Sequence, residues 1–187
     1  LAVYDLSRGM ARSLSGQFLG PNHAIEIIPH TGIVVYGKEY FFGGGIQSDS
    51  PGNFRASSGL FPISSEFLGR TSVEQHEFEE WCRNCMRNGR WTPQSYDLLE
   101  RNCNNFTHEA ALEGLKLSQG VPQWILDVPR RFLASPMGQM IRPMLESMQV
   151  TGGNYGSSSS SSAAPFAHSA PTVGSTAAAT AVSPAPA

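Results

Sequence analysis

Apolar residues recur along this chain at two spacings, and the switches between them mark out its elements. Leu1 to Leu6 is a short apolar run that reads as a strand. A turn and a helical or irregular stretch follow, from Ser7 to the break at Gly20-Pro21. In TGIVVYGKEYFFG two apolar runs flank Gly37-Lys38, and glycine opening a two-residue loop suits a type II′ hairpin. That loop sets Tyr36 opposite Glu39, Val35 opposite Tyr40 and Ile33 opposite Phe42. Both hairpin faces are then largely apolar, so the hairpin is expected to be covered on two sides or central in its sheet. Continued backwards, the same pairing puts His30 at the strand entry opposite Gly45, whose missing side chain leaves room beside the imidazole. Residues 43 to 69 are too rich in Gly, Ser and Pro for a helix and read as a long loop with a strand near Leu60 to Ile63.

Helical spacing begins at Thr71. Overlapping capping boxes, Thr71 with Glu74 and Ser72 with Gln75, open a helix predicted to run to Asn88. Phe78, Trp81, Cys82, Cys85 and Met86 form its apolar stripe. Between Arg101 and Leu115, Asn102 is a favoured N-cap, Phe106, Ala110 and Ala111 share a stripe, and Gly114 offers a C-cap. Val121 to Pro129 reads as a proline-bounded connector. A last amphipathic helix carries Met137, Met140, Ile141, Met144, Leu145 and Met148, kinked at Pro143. Its methionine stripe reads as core contact, with an adaptable partner surface as the alternative.

Composition narrows the picture. The 37 residues from Thr151 to Ala187 contain no Lys, Arg, Asp or Glu and are mostly Ser, Ala, Pro, Thr and Gly. Such a segment cannot bury enough apolar surface to offset its ordering entropy, so a disordered tail is expected over 150–187, after one domain over 1–149. The 13 basic and 15 acidic residues all precede it, with no basic run longer than Arg130-Arg131, which suits no nucleic-acid partner. Three cysteines argue against a disulfide scaffold and for a reducing compartment. No window of 18 residues is apolar enough for a membrane span and no signal peptide is recognisable, so a soluble cytoplasmic or nuclear protein is expected. The abrupt opening on LAVYDL suggests an initial strand that begins further upstream.

Among chemical motifs, there is no GxSxG elbow, no P-loop and no HExxH. Gly43 to Gly45 precede no helix signal and make a poor dinucleotide loop. No cofactor or metal is expected, since Cys82 and Cys85 lie on an apolar stripe and lack a second CxxC, and the sequon at Asn105 falls in a helix. Cys103 remains, in the first turn of its helix, where the dipole favours a thiolate; buried packing is the alternative. Of five histidines, His168 is in the tail, His76 is exposed on its helix, and His108 lies about 140° round the helix from Cys103. His23 and His30 are left, and His30 is the better base because a strand fixes its position. Cysteine at a helix start beside a histidine on a strand is the minimal arrangement of papain-like thiol hydrolases. The histidine comes first here, as a circularly permuted α+β papain-like fold would require.

Four segments, YDLSRGMA, PHTGIVVYGKEYFFGGG, ERNCNNFTHE and VPQWILDVPRRFLASPMGQMIRPMLE, resemble the PPPDE superfamily and within it the desumoylating isopeptidases, over residues 1–149. The resemblance implies a Cys-His dyad carried by His30 and Cys103. It also implies cleavage of the isopeptide bond between a ubiquitin-like modifier and a substrate lysine, SUMO- or ubiquitin-conjugated proteins as partners, and a homodimer whose active site faces a groove. Backbone N–H groups near Cys103, with Asn102 as an extra donor, would receive the oxyanion. Cleavage after a glycine pair suggests a narrow channel that Gly43, Gly44 and Gly45 could line. Pro29 departs from the aromatic residue expected before the histidine and bears on the groove wall. The same dyad would serve a deubiquitinase or an S-acyl (palmitoyl) thioesterase. A non-enzymatic alternative is an adaptor that recruits partners through the methionine helix and the tail, with Cys103 idle. The sequence assigns no third residue to orient His30.

Overall fold

The computed structural model of the chain describes residues 1–53 and 59–141. An antiparallel sheet of five strands packs against helices in an α+β arrangement. Its strands are β1 (Ala2–Asp5), β2 (Pro29–Val35), β3 (Lys38–Phe42), β4 (Ile46–Asp49) and β5 (Ser64–Ser65), in the order β4-β3-β2-β1-β5. The predicted hairpin, β2 with β3, is therefore central, as its two apolar faces require. Residues on alternate positions separate cleanly. Val3, Ile33, Tyr40, Phe42 and Ile46 face the main core, whereas Ala2, Tyr4 and Phe41 form a second cluster closed by Leu60.

The hairpin register differs from expectation by two residues. Ile33 pairs with Tyr40, Val34 with Glu39 and Val35 with Lys38, so the loop is Tyr36-Gly37 rather than Gly37-Lys38. Both loop residues have positive φ, 54° and 71°, the backbone of a type I′ turn, whose twist matches the strands better than most turns. The tyrosine tolerates that conformation because its hydroxyl donates to the Val73 carbonyl. As a consequence His30 does not face Gly45. Its partner is Tyr4 on β1.

The Gly-rich segment also holds more structure than expected. β4 pairs with β3 from Glu39–Asp49 to Phe42–Ile46, because Ile46 adds a core side chain directly after the glycine turn. The strand placed at Leu60 to Ile63 sits slightly later, at Ser64–Ser65, against Ala2 and Val3.

Helix α1 spans Met10–Leu19 and α2 spans Gln75–Arg87. α2 starts later than predicted, because Thr71 uses its hydroxyl to reach the Leu115 carbonyl at 2.6 Å, and Glu74 with Glu77 makes the capping box instead. Its stripe is buried as predicted at Phe78, Cys82 and Cys85, with Trp81 and Met86 packed at the margin. Helix α3 (Cys103–Glu109) runs on through a π turn, Ala110–Gly114, and lies across β2 and β3. Gly114 is not a left-handed cap. A β-carbon there would stand 2.7 Å from the Phe78 ring and 2.9 Å from Trp81, so the glycine is needed for close approach to α2. The proline-bounded connector contains two short helices, α4 (Gln123–Leu126) and α5 (Val128–Ala134). Residues 136–141 are helical, with Met137 packed on the cluster of Ala11, Leu19, Ile25 and Val128, and Met140 80% exposed. Pro143, Met144, Leu145, Met148 and the expected tail lie outside the described residues.

Asp5 pins the approach to β2. Its carboxylate accepts from Ser7 Oγ (2.6 Å), Ser7 N (2.9 Å), Gly9 N (2.7 Å) and Ile28 N (3.1 Å). Burial alone would push its carboxyl up, but these hydrogen bonds outweigh it and hold it below the usual carboxylate range. A depressed folded pKa contributes stability that is complete above the unfolded value, about 3.9, and is lost as pH falls through the folded value. Asp5→Ala should therefore cost about 2 kcal/mol at pH 7, with the gap to wild type shrinking below about pH 4, as measured by urea unfolding across pH.

Candidate active site

Asn102 starts α3 as its sequence type suggests. Its Oδ1 accepts from Asn104 N (2.8 Å) and Asn105 N (3.1 Å), while Asn105 Oδ1 accepts from Asn102 N (3.1 Å), an asparagine version of the capping box. Cys103 follows as the first helical residue, buried at 8% exposure. The helix dipole there favours an anion, the electrostatic condition for a reactive thiolate.

The next residue ties this helix start to β2. Asn104 Nδ2 donates to the Pro29 carbonyl at 3.0 Å, and Asn104 Oδ1 accepts from Thr31 Oγ1 at 3.0 Å. Pro29 and Thr31 flank His30, so one buried amide holds both sequence neighbours of the histidine, one by its carbonyl and the other by its hydroxyl. Thr107, one turn further along α3, lies within hydrogen-bond reach of the Thr31 carbonyl (3.0 Å) and the Cys103 carbonyl (3.1 Å). Cys103 Sγ is 3.8 Å from Asn104 Oδ1. Nucleophile candidate and base candidate are thereby attached to the same two rivets, though they stand 73 positions apart in the chain.

His30 itself is 3% exposed, with Tyr4 on one side (ring centroids 6.0 Å apart, inclined 56°) and Phe41 on the other (5.9 Å, inclined 71°). The other proposed site residues fall into place around it in different ways. Asn102 is 4% exposed and committed to the cap, with its Nδ2 donating to the Leu98 carbonyl at 2.8 Å. Pro29 is buried rather than lining an open wall, and its exposed neighbour is Ile28. Gly43 to Gly45 form the β3–β4 turn, at the end of the sheet where β2 begins, with positive φ at Gly44 (80°) and Gly45 (112°). His108 lies apart from this group. It lines a polar cavity of about 440 Å³ with Arg90, Arg101, Asn105 and Glu109.

Residues 1–146 match the family described as "PPPDE putative peptidase domain". The chain belongs to the PPPDE peptidase family. It is also 40% identical over 159 residues to "Desumoylating isopeptidase 1" of Xenopus laevis, covering 82% of this chain and 88% of that protein. The Homo sapiens protein of the same name is 40% identical over 153 residues, 80% of this chain and 85% of that one. "DeSI-like protein sdu1" of Schizosaccharomyces pombe is 33% identical over 115 residues, 58% of this chain and 55% of that protein.

Of the three cysteines, Cys82 and Cys85 lie on α2 in the main core, away from the start of α3. Burial pushes the Cys85 thiol up to about 11, reinforced by the nearby Glu109 carboxylate, and pushes Cys82 higher still, with Cys85 and Glu79 adding to it. Both thiols stay protonated at neutral pH, which makes them poor nucleophiles. Among the described residues no group of three or more His, Cys, Asp or Glu could hold a metal ion. Iodoacetamide treatment of the native protein at pH 8, read by peptide mass spectrometry, should leave Cys82 and Cys85 unmodified while Cys103 reacts. Labelling of all three at equal rates would contradict this division.

Neither Asn104, Thr31 nor Thr107 stood out in the sequence. The run Asn102, Asn104, Asn105 around Cys103 was the available signal, since three asparagines in a helix start exceed what one cap needs.

Proposed function

We propose that this protein is a thiol isopeptidase that removes a SUMO-type modifier from substrate lysines, with Cys103 as nucleophile and His30 as general base. The observation that carries the reading is the Asn104 bracket, which joins the residue after Cys103 to both neighbours of His30. The name shared by the relatives at 40% identity supports the choice of modifier.

The reaction follows from these groups. His30 accepts the Cys103 proton, and the sulfur attacks the carbonyl of the isopeptide bond between the modifier's terminal glycine and the lysine amine. Charge develops on the carbonyl oxygen near the start of α3, where backbone N–H dipoles point outward; one oxyanion donor is typically worth about 3 kcal/mol. The imidazolium returns its proton to the departing lysine nitrogen, leaving the modifier as a thioester on Cys103. Water, deprotonated by His30, then attacks the thioester, releasing the modifier carboxylate and restoring the thiol. Asn102 contributes through the cap that sets the first turn. Gly43 to Gly45, without side chains, suit the passage of a narrow glycine tail.

Cys103→Ser and His30→Ala should each lower cleavage of a SUMO-conjugated protein by more than about 10³-fold, with circular dichroism checking that each variant is folded. Full activity in either variant would sink the dyad. A parallel panel of ubiquitin conjugates and palmitoyl thioesters fixes the cargo, because those substrates need the same nucleophile and base. Preference for either of them over SUMO would replace the modifier named here.

The homodimer belongs to the same proposal. Phe61 (76% exposed), Ile63 (56%) and Phe67 (78%) flank the short edge strand β5 and supply apolar surface for a second copy. Sedimentation velocity at micromolar concentration should show a dimer that Phe67→Asp weakens; a wild-type monomer would remove this part of the proposal.

A further inference from the structure

Glu39 is a fully buried carboxyl group that the bracket around His30 does not use. It sits on β3 with 0% exposure, and none of the ion pairs among the described residues involves it. A carboxyl group removed from water without a salt bridge is expensive, the Leu1 ammonium acting on it only at longer range, and an apolar side chain would fill the same volume more cheaply. Its hydrogen bonds show what it does there. Glu39 Oε2 accepts from the Tyr4 hydroxyl at 2.8 Å and from Gly52 N at 2.9 Å, while Oε1 has no hydrogen-bond partner among the described residues.

Strand geometry makes the first of these bonds unusual. Tyr4 is on β1 and Glu39 on β3, with β2 between them. The phenol reaches across β2 because position 32 is glycine. A β-carbon on Gly32 would lie 2.3 Å from Glu39 Oε1 and 2.7 Å from Glu39 Cγ. Paired residues of antiparallel strands point to the same face, so Tyr4, its partner His30 and the alternate residue Gly32 share one surface with Glu39, the partner of Val34. The ring that crosses this gap is the ring that lies against the imidazole.

We propose that Glu39 is a positioning residue for His30, acting through the Tyr4 phenol. Its carboxyl anchors the hydroxyl at the far side of Gly32, which fixes the Tyr4 ring as one wall of the imidazole slot; Phe41 is the other wall. Through Gly52 the same oxygen holds down the loop after β4. The inference rests on the reading of His30 as the catalytic base. A reacting group displaced by about 1 Å can lose up to roughly a hundredfold in rate, so a slack ring beside His30 should appear in turnover more than in binding.

The test measures kcat and KM on a SUMO-conjugated protein for Glu39→Leu, Glu39→Gln and Tyr4→Phe, alone and combined, with thermal unfolding of each and His30→Ala as control. Glu39→Leu and Tyr4→Phe should each lower kcat about tenfold with KM within about twofold, and the double variant should fall no further than either single one. Glu39→Gln keeps an acceptor oxygen for the phenol and should stay within about twofold of wild-type kcat. Tyr4→Phe preserves the ring volume, so it decides the matter should Glu39→Leu fail to fold. Wild-type kcat in Tyr4→Phe, or a loss in Glu39→Gln equal to that in Glu39→Leu, overturns the inference. Retained activity in His30→Ala would instead overturn the underlying assignment of the base, and the two failures are thus separate.

Discussion

The constraint on which the rest depends is the double hydrogen bond of the Asn104 side chain to β2. An amide has one acceptor oxygen and one donor nitrogen on a rigid plane, and here each end is fixed by a residue flanking His30. Such bonds are worth about 1 kcal/mol each in net stability, but breaking either leaves a buried polar group unsatisfied at a further cost of about 1–3 kcal/mol. The penalty for misplacement is larger than the gain from placement, which is how a polar pair inside a core specifies position. Thr107 adds a second tie one turn away, so the helix can neither slide nor rotate against the strand without orphaning buried groups. A sheet and a helix packed only by Phe42, Phe106 and Ala110 would be held together as tightly by area and far less tightly by register.

Around this joint the fold divides its labour between the two faces of the sheet. One face makes the main core with α2 and α3, where aromatic side chains bury large areas and Phe78 meets Tyr40, and Trp91 meets Phe106, edge-on. The opposite face is small and unusually polar for its burial, with Tyr4, His30 and Glu39 beneath the loop that follows β4. Stability resides mainly in the first face. The second is where the chain accepts buried groups that an optimally stable protein would replace, which is the usual mark of a site kept for chemistry.

How much of this was legible in the sequence varied with the range of the interaction involved. Local rules worked: Asn102 as a cap, the buried stripe of Phe78, Cys82 and Cys85, and the central hairpin all follow from spacing and residue type. The hairpin loop lies one residue earlier than expected, because a glycine pattern alone does not separate Gly37-Lys38 from Tyr36-Gly37. The deciding factor was a long-range bond from Tyr36 to the lead of α2. Capping boxes at Thr71 and Ser72 lost to Glu74 for a similar reason, since the Thr71 hydroxyl is occupied by the end of the α3 segment. His30 and Cys103 stand out as residue types, but the bracket that relates them consists of one side chain to side chain and two side chain to backbone bonds across 73 to 76 positions, which leave no periodic trace.

Pro29 shows how such a bracket changes the meaning of a residue. Read alone, a proline before the histidine suggests an altered groove wall. In the structure it opens β2, the one position in a strand where a missing N–H costs little, and it is buried. Its carbonyl is what it contributes. With φ locked near −65° by the ring, the peptide entering His30 has little freedom, and the carbonyl it presents is the one Asn104 binds. On the other side Ile28 donates to Asp5 and accepts from Leu6 N, so the chain is clamped on both sides of the proline. An aromatic residue at position 29 could satisfy the same carbonyl bond but would leave the backbone free to turn about φ. Proline therefore acts on the backbone of the strand that carries His30, while the side chain exposed beside it is that of Ile28.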